Sequence, residues 1–452
     1  MNRSAILLFT GLALVAVVGG YFAAMHFLRD NSVRSLDAVA EFIIPESYYT
    51  TSKISKLADT PKGQGKALFP DVPDTGSFAL KPEFTREEGF IGPDSCKECH
   101  AEYYDGFVQT AHYRTSSRPS RETVLGLTDK VNEVTTRQKR LSYEVKLVGE
   151  AVVQFLKIKH QEKTYQHQQK IDIVTGSGLT GQTHLYLEDD RLYQLPVSWL
   201  ASHGWVNSPG YTDGFANFAR PIKIACIACH ATRVEYETRH VNWIDPKSMI
   251  LGVTCERCHG PAEAHVDFHR ANPQAIQAKH ITHPNHLSRE RMNDICGQCH
   301  SGSADFFKSP FSFRPGDRLD NYLRIDEKPD QVGAGVHTAN QLPRLKRSQC
   351  YIQSDSMNCS TCHNPHQNER RNVALFSKRC MECHAAQDCG QFPISGEQIS
   401  KNCIDCHMRK QLDETTKIET SDDSIFPEVR DHFIRIDAES TRAYLESTSQ
   451  TK

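Results

Sequence analysis

Apolar side chains are in short supply, at 38% of 452 residues. A chain of this length ordinarily buries more, so something besides side chains must complete part of the core. A charge of one sign is missing too. Fifty-three Lys and Arg stand against 55 Asp and Glu, for a formal net charge of −2. The basic residues are scattered rather than massed, which argues against nucleic acid as a partner. Methionine is scarce, at seven residues, and no Cys-x-x-Cys-Lys sequence occurs.

What the chain has in excess is cysteine placed beside histidine. Cys-x-x-Cys-His occurs seven times, at Cys96/Cys99/His100, Cys226/Cys229/His230, Cys255/Cys258/His259, Cys296/Cys299/His300, Cys359/Cys362/His363, Cys380/Cys383/His384 and Cys403/Cys406/His407. Random placement of 16 Cys and 22 His gives about 0.03 such motifs. Zinc sites space their histidines variably instead of always directly after the second cysteine. Iron–sulfur ligation needs no histidine there, and a disulfide framework would not fix one. The motif is the attachment signal for c-type haem: two thiols form thioethers to the porphyrin and the adjacent imidazole reaches the iron. The sequence therefore predicts seven covalent haem c groups, with those fourteen cysteines as attachment points and those seven histidines as proximal ligands.

Six of the motifs fall between Cys226 and His407, 182 residues in all. About thirty residues per haem is too little chain for an ordinary hydrophobic core, so the haems are expected to be the core. Their propionates add roughly fourteen negative charges, partly offset by ferric iron.

Residues 1–30 read as a membrane anchor or signal. Arg3 precedes an apolar run from Ala5 to Leu28, long enough to span a bilayer. Tyr21, Phe22, Met25 and Phe27 crowd the positions a cleavage site needs, which favours an uncleaved transmembrane helix with Arg3 on the cytoplasmic side. The remainder is expected on the periplasmic face of the cytoplasmic membrane, where haem c is attached and disulfides are permitted. Residues 31–90 are a Pro-punctuated tether and 91–134 the first haem segment.

Residues 135–225 form a haem-free, β-rich insert. Leu141/Tyr143/Val145/Leu147 and Thr183/Leu185/Leu187 alternate at period two, and 152–158 and 171–174 are β-rich. These predict a small antiparallel β-meander over 135–200, with His160, His167 and His184 as exposed strand histidines. Residues 226–437 are a six-haem domain, with short helices between loops and no further strand signal. Pro261 can start a helix that puts His265 and His269 on one face. A polar, flexible tail, 438–452, follows. The fold class expected is thus a mainly α and irregular multihaem cytochrome c fold built on its haems, with a small antiparallel β-meander insert and an N-terminal transmembrane helix.

The second axial position of each iron decides the chemistry. A second imidazole gives a six-coordinate iron suited to electron transfer, while an empty position permits substrate binding. Fifteen histidines lie outside the motifs, including His26 in the apolar run. Met381 lies inside a motif and Met408 directly follows a proximal ligand, so methionine ligation is disfavoured.

Several stretches resemble the multihaem cytochromes c with doubled Cys-x-x-Cys-His motifs, related to the tetrahaem electron acceptor of hydroxylamine oxidation. They are CKECHAEYYDGFVQTAH (96–112), CERCHGPAEAH (255–265), FRPGDRLDNYL (313–323), CSTCHNPH (359–366), NCIDCHM (402–408) and DHFIRI (431–436), with the β-rich stretch 175–199. The resemblance implies that His112 ligates a haem other than its own, and implies distal roles for His265, His366 and His432. His366, three residues past His363 across Pro365, cannot fold back onto its own iron. His337 and one of His280, His283 and His286 are further candidates, whereas His203, His240 and His269 read as surface or satisfied histidines. Arg409 stands where such proteins commonly carry proline, which affects local loop shape.

Two functions follow. One is a membrane-tethered relay passing electrons between redox partner proteins. The other is an oxidoreductase acting on a small nitrogen or sulfur compound at one five-coordinate haem; the absence of Cys-x-x-Cys-Lys and of any lost proximal histidine weighs against it. The cysteines outside the motifs, Cys350 and Cys389, suggest a disulfide closing a loop of about forty residues, worth roughly 3–4 kcal/mol. Two unrelated buried thiols are the alternative.

Overall fold

The computed structural model describes residues 84–449, apart from 129–131, 161–162, 239–240, 304 and 326–335. The apolar run 5–28, and with it the transmembrane helix and most of the tether, lies outside the described residues. Among those described, no helix is long and apolar enough to cross a membrane.

The mainly α expectation is overturned, because helix makes up 31% and strand 24%, in several sheets. The stretch expected as one meander, 135–200, is instead divided between two sheets. Glu133–Thr135, Leu141–Val148, Ala151–His160 and Lys163–Lys170 form a four-stranded antiparallel sheet in chain order. Beside it lies a seven-stranded sheet that runs from Ser116–Ser117 through Ile173–Thr175, Gly181–Glu188 and Arg191–Gln194 to Arg220–Pro221. Val197–Leu200 and Gly204–Asn207 branch from it.

Alternation dictates the packing here. Leu141, Tyr143 and Val145 are at most 1% exposed and meet Leu156, Tyr186, Tyr193, Leu195 and Phe218 between the two sheets. Asp189 and Asp190 both have positive φ, 48° and 63°, the geometry of a type I′ turn joining Gly181–Glu188 to Arg191–Gln194. Two of the strand histidines are inside this core, not exposed. His184 is fully buried and donates through Nδ1 to Val197 O (3.0 Å), and His167 packs edge-on to Phe218.

Strands also continue past Cys226, against the expectation of helices and loops alone there. Ala231–Tyr236 pairs with Ile244–Leu251, and short ribbons follow His407. The first ribbon carries Thr, Arg and Glu among its apolar residues and is broken by register shifts, so period two is blurred. Ile224, Ile227, Val234, Ile244 and Phe311 pack with Ile173, Leu185 and Leu192, fastening the second motif to the back of the large sheet.

The approach to the first motif is fastened at three successive points. Thr85 N donates to Tyr236 O (3.0 Å), Gly89 O accepts from Glu263 N (3.0 Å), and Ile91 and Gly92 donate to the Glu256 carboxylate at 3.0 and 2.8 Å. At the other end, Ala438–Ser449 is a helix where composition suggested a frayed tail.

Candidate functional site

Each motif is wound as about one helical turn, which puts two cysteines and the following histidine on one side of the chain. The first lies in the helix Asp94–Phe107, which departs from helical geometry at His100. The third is the short helix Cys255–His259, ended by Gly260 at φ +89°, a left-handed position suited to glycine. The fourth ends the helix Arg289–His300, capped by Ser288, and the fifth starts the helix Cys359–Cys362, capped by Asn358.

The attachment cysteines are not equally enclosed by the polypeptide. Cys99, Cys226 and Cys383 are exposed on the polypeptide, whereas Cys406 is buried. For Cys99 the reason is local. It lies on the helix Asp94–Phe107, of which only Phe107 is buried, so the rest of the fold does not close over that thiol.

Four of the seven proximal histidines face a second imidazole. His100 lies opposite His265 with ring centres 6.5 Å apart and planes 17° apart. His259 faces His366 at 6.1 Å and 21°, and His363 faces His432 at 6.1 Å and 24°. His300 faces His112 at 6.4 Å with planes at 67°. Metal–imidazole bonds of about 2.0–2.1 Å on both sides of one ion set ring centres about 6 Å apart. The spacing therefore fits an iron between each pair. None of the four partners belongs to the motif it faces.

Hydrogen bonds turn the rings for this task. His259 Nδ1 meets Thr282 O (2.9 Å), His300 Nδ1 meets Thr338 O (2.8 Å), His230 Nδ1 meets Thr115 O (3.1 Å) and His407 Nδ1 meets Arg435 O (3.0 Å). His265 does the same at Lys279 O (2.8 Å). An Nδ1–H on a carbonyl leaves Nε2 as the free lone pair, the arrangement a metal-bound imidazole needs. Burial lowers the pKa of His112 and His432 to about 4 and pushes His230, His259, His363 and His366 down as well. Neutral imidazoles are the ligating form.

His432 follows a buried ion pair that no local sequence pattern signals. Asp431, wholly buried, accepts from Arg344 Nε and Nη2 at 2.7 and 2.5 Å, from Arg435 Nη1 at 2.8 Å and from Phe433 N at 2.9 Å. Burial opposes its ionisation, but these donors, Arg344 first, keep its carboxyl below the usual range. Glu256, 2% exposed, likewise fixes Ile91, Gly92 and Ala262 by their N–H groups. Long sequence separation hides both.

The other candidates are placed differently. His337 accepts from Ala339 N through Nδ1 (2.9 Å), and its Nε2 lies 3.5 Å from Asp413. His283 and His286 stack on each other at 4.5 Å, too close to hold an ion between them. His280 lies edge-on to Phe268, and His269 packs edge-on to His265 at 4.7 Å. His203 bonds Ser202, and His240 lies outside the described residues. Among the described residues, no imidazole faces His230, His384 or His407 at a ligating distance.

The attachment loops touch one another. Thiol contacts join Cys96 to Cys255, Cys229 to Cys299, Cys296 to Cys359 and Cys380 to Cys403. The disulfide between Cys350 and Cys389 is not formed, and both thiols are free. Each sits by a different loop, Cys350 near Cys362, Cys380 and Cys383, Cys389 near Cys406.

Repeated attachment loops and paired imidazoles define a class, and comparison with known proteins agrees: the chain is a multihaem c-type cytochrome, with covalently bound haem c. Residues 217–260 match the family model described as cytochrome c554 and c-prime. A multiheme cytochrome MtrA from Shewanella baltica (strain OS185) is 26% identical over 181 residues, 36% of this chain and 52% of that protein. The chain thus spans about half the length of that curated relative. The crystal structure of the outer cell wall cytochrome OcwA superposes with a TM-score of 0.49 at 16% identity, covering 78% of this chain and 81% of that one. The family model and the MtrA relative carry the class and not the narrower relation to hydroxylamine oxidation.

Proposed function

We propose that this chain is a heptahaem electron relay on the periplasmic face of the cytoplasmic membrane, held there by the apolar run 5–28 and passing electrons between redox partner proteins. The observation that carries it is the set of four imidazole pairs at 6.1–6.5 Å. When bound, haem c supplies one-electron chemistry between ferric and ferrous iron. His100/His265, His259/His366, His300/His112 and His363/His432 would hold four irons from both sides. That closes them to substrate and keeps the geometry unchanged as an electron comes and goes. The fourteen motif cysteines would hold all seven groups covalently. Contacts between attachment loops bring neighbouring groups close without a mobile carrier.

A second reading, an oxidoreductase acting on a small nitrogen or sulfur compound, is favoured by one observation: His230, His384 and His407 are proximal histidines without an opposed imidazole among the described residues. Spectra of the ferric and ferrous holoprotein, with and without carbon monoxide, decide between the two. A wholly low-spin protein that ignores carbon monoxide supports the relay, and a high-spin component that binds it supports the enzyme. Haem count by intact mass tests the number seven.

A further inference from the structure

Three attachment loops, 226–230, 255–259 and 296–300, are knitted together around one side chain, Arg257. It sits between the two cysteines of its own motif and is 5% exposed. Its Nη2 donates to Ala228 O of the second motif (3.2 Å), and the guanidinium also reaches the Cys299 thiol of the fourth. Its backbone carbonyl accepts from Gln298 Nε2 (3.3 Å), again from the fourth motif. Cys229 and Cys258 lie within its field, and Phe311 lies beneath it, with the guanidinium carbon 5.2 Å from the ring centre.

Among the described residues, no side-chain carboxylate pairs with this cation. Its neighbour Glu256 turns away to bind Ile91, Gly92 and Ala262, and Arg257 makes no ion pair among the described residues. Its Nε is buried without a hydrogen-bond partner. A guanidinium buried among thiols, carbonyls and an aromatic ring is costly to desolvate. Packing alone would be served by an apolar residue.

We infer that Arg257 is an electrostatic setter of reduction potential at a three-way junction, raising the potentials of the haems attached at the second, third and fourth motifs. The inference rests on haem attachment at those loops. Each haem there gains one electron from a one-electron reductant, ferric iron becomes ferrous, and the site's charge falls by one. A fixed positive charge beside the thioether edges favours the reduced form, more strongly because burial weakens screening. Electrons entering from any branch would then settle at the junction before moving on.

The test uses the full-length holoprotein, titrated spectroelectrochemically with mediators, and intact mass to count haems. Arg257→Gln keeps a donor for Ala228 but removes the charge. It should keep its full haem complement while a fraction of the haems, three at most, titrates lower. The expected change is about tenfold in the ferric-to-ferrous ratio at fixed potential, about 59 mV for one electron. Arg257→Lys should restore the wild-type curve. A fully loaded Arg257→Gln that titrates like wild type overturns the inference, and so does a Lys variant that titrates like Gln. Should Gln lose haem, Arg257→Met is titrated instead; haem loss in both neutral variants assigns Arg257 a purely structural role and also overturns it. A wild-type protein lacking haem at these loops defeats the attachment reading itself, and mass alone reveals that.

Discussion

His363 and His432 lie with ring centres 6.1 Å apart and planes 24° apart, though 69 residues separate them in the chain. The same holds for His259 and His366, at 6.1 Å. A proximal histidine and a distant one thus share each gap that an iron fits.

Replacing a distal histidine should therefore affect a haem remote in sequence. His366→Ala should convert one haem to high spin, the one attached at Cys255 and Cys258, leaving its own neighbour at Cys359 and Cys362 low-spin. Electron paramagnetic resonance of the ferric protein measures this. A wholly low-spin variant sinks the pairing.

Arg344→Met leaves Asp431 as a buried carboxylate without its bidentate partner. Breaking such a pair costs about 3–5 kcal/mol, so the thermal midpoint should fall by several degrees. His432 should also lose its position and expose the iron beside His363. The double variant Arg344→Met/Asp431→Leu should recover much of the lost stability in thermal unfolding. If it does not, the pair acts through more than its charges.

The β region should weaken in mild acid. Burial lowers the pKa of His184 from 6.5 to about 4, against a small opposing effect of Val197 O. The unfolded chain therefore takes up a proton at this site before the folded one does. The stability held by the neutral ring is fully present above about pH 6.5 and is lost as the pH falls toward 4, on the order of 3 kcal/mol. Urea unfolding followed by Trp fluorescence between pH 7 and 4 measures the slope. His184→Gln should flatten it, and an unchanged slope assigns acid sensitivity elsewhere.

Cys350 and Cys389 should both react. In denatured, unreduced holoprotein the other fourteen cysteines are held as thioethers, so alkylation should add two labels by mass. Zero labels would mean that a bridge forms after all.

How much of this was legible in the sequence depends on separation along the chain. The attachment motifs are contiguous, so their residues could be read directly. Leu141, Tyr143 and Val145 announced a strand because one face of it is buried against another sheet. The Ala231–Tyr236 ribbon did not, because Thr232, Arg233 and Glu235 interrupt its apolar face. His184 looked like a surface histidine because alternation shows which positions share a face but not that a second sheet covers it. The roles of His112, His265, His366 and His432 came from a resemblance, and no local pattern names the rings they face. Arg257, Glu256 and Asp431 were missed outright. Their roles depend on partners from 29 to 165 residues away, Ala228, Ile91 and Arg344 among them.

The three fastenings at the start of the described chain have a mechanical consequence. A pull from the N-terminal side meets Thr85 on Tyr236 first, then Gly89 on Glu263, and only then the two N–H groups on the Glu256 carboxylate. Load is thus shed onto the β-ribbon and the helix Glu263–Ala271 before it reaches Glu256, which belongs to an attachment loop. The last peg is a charged acceptor with two donors, the strongest of the three. Tension on the N-terminal segment would be spent in series, and the spacing between attachment loops would be the last thing to give.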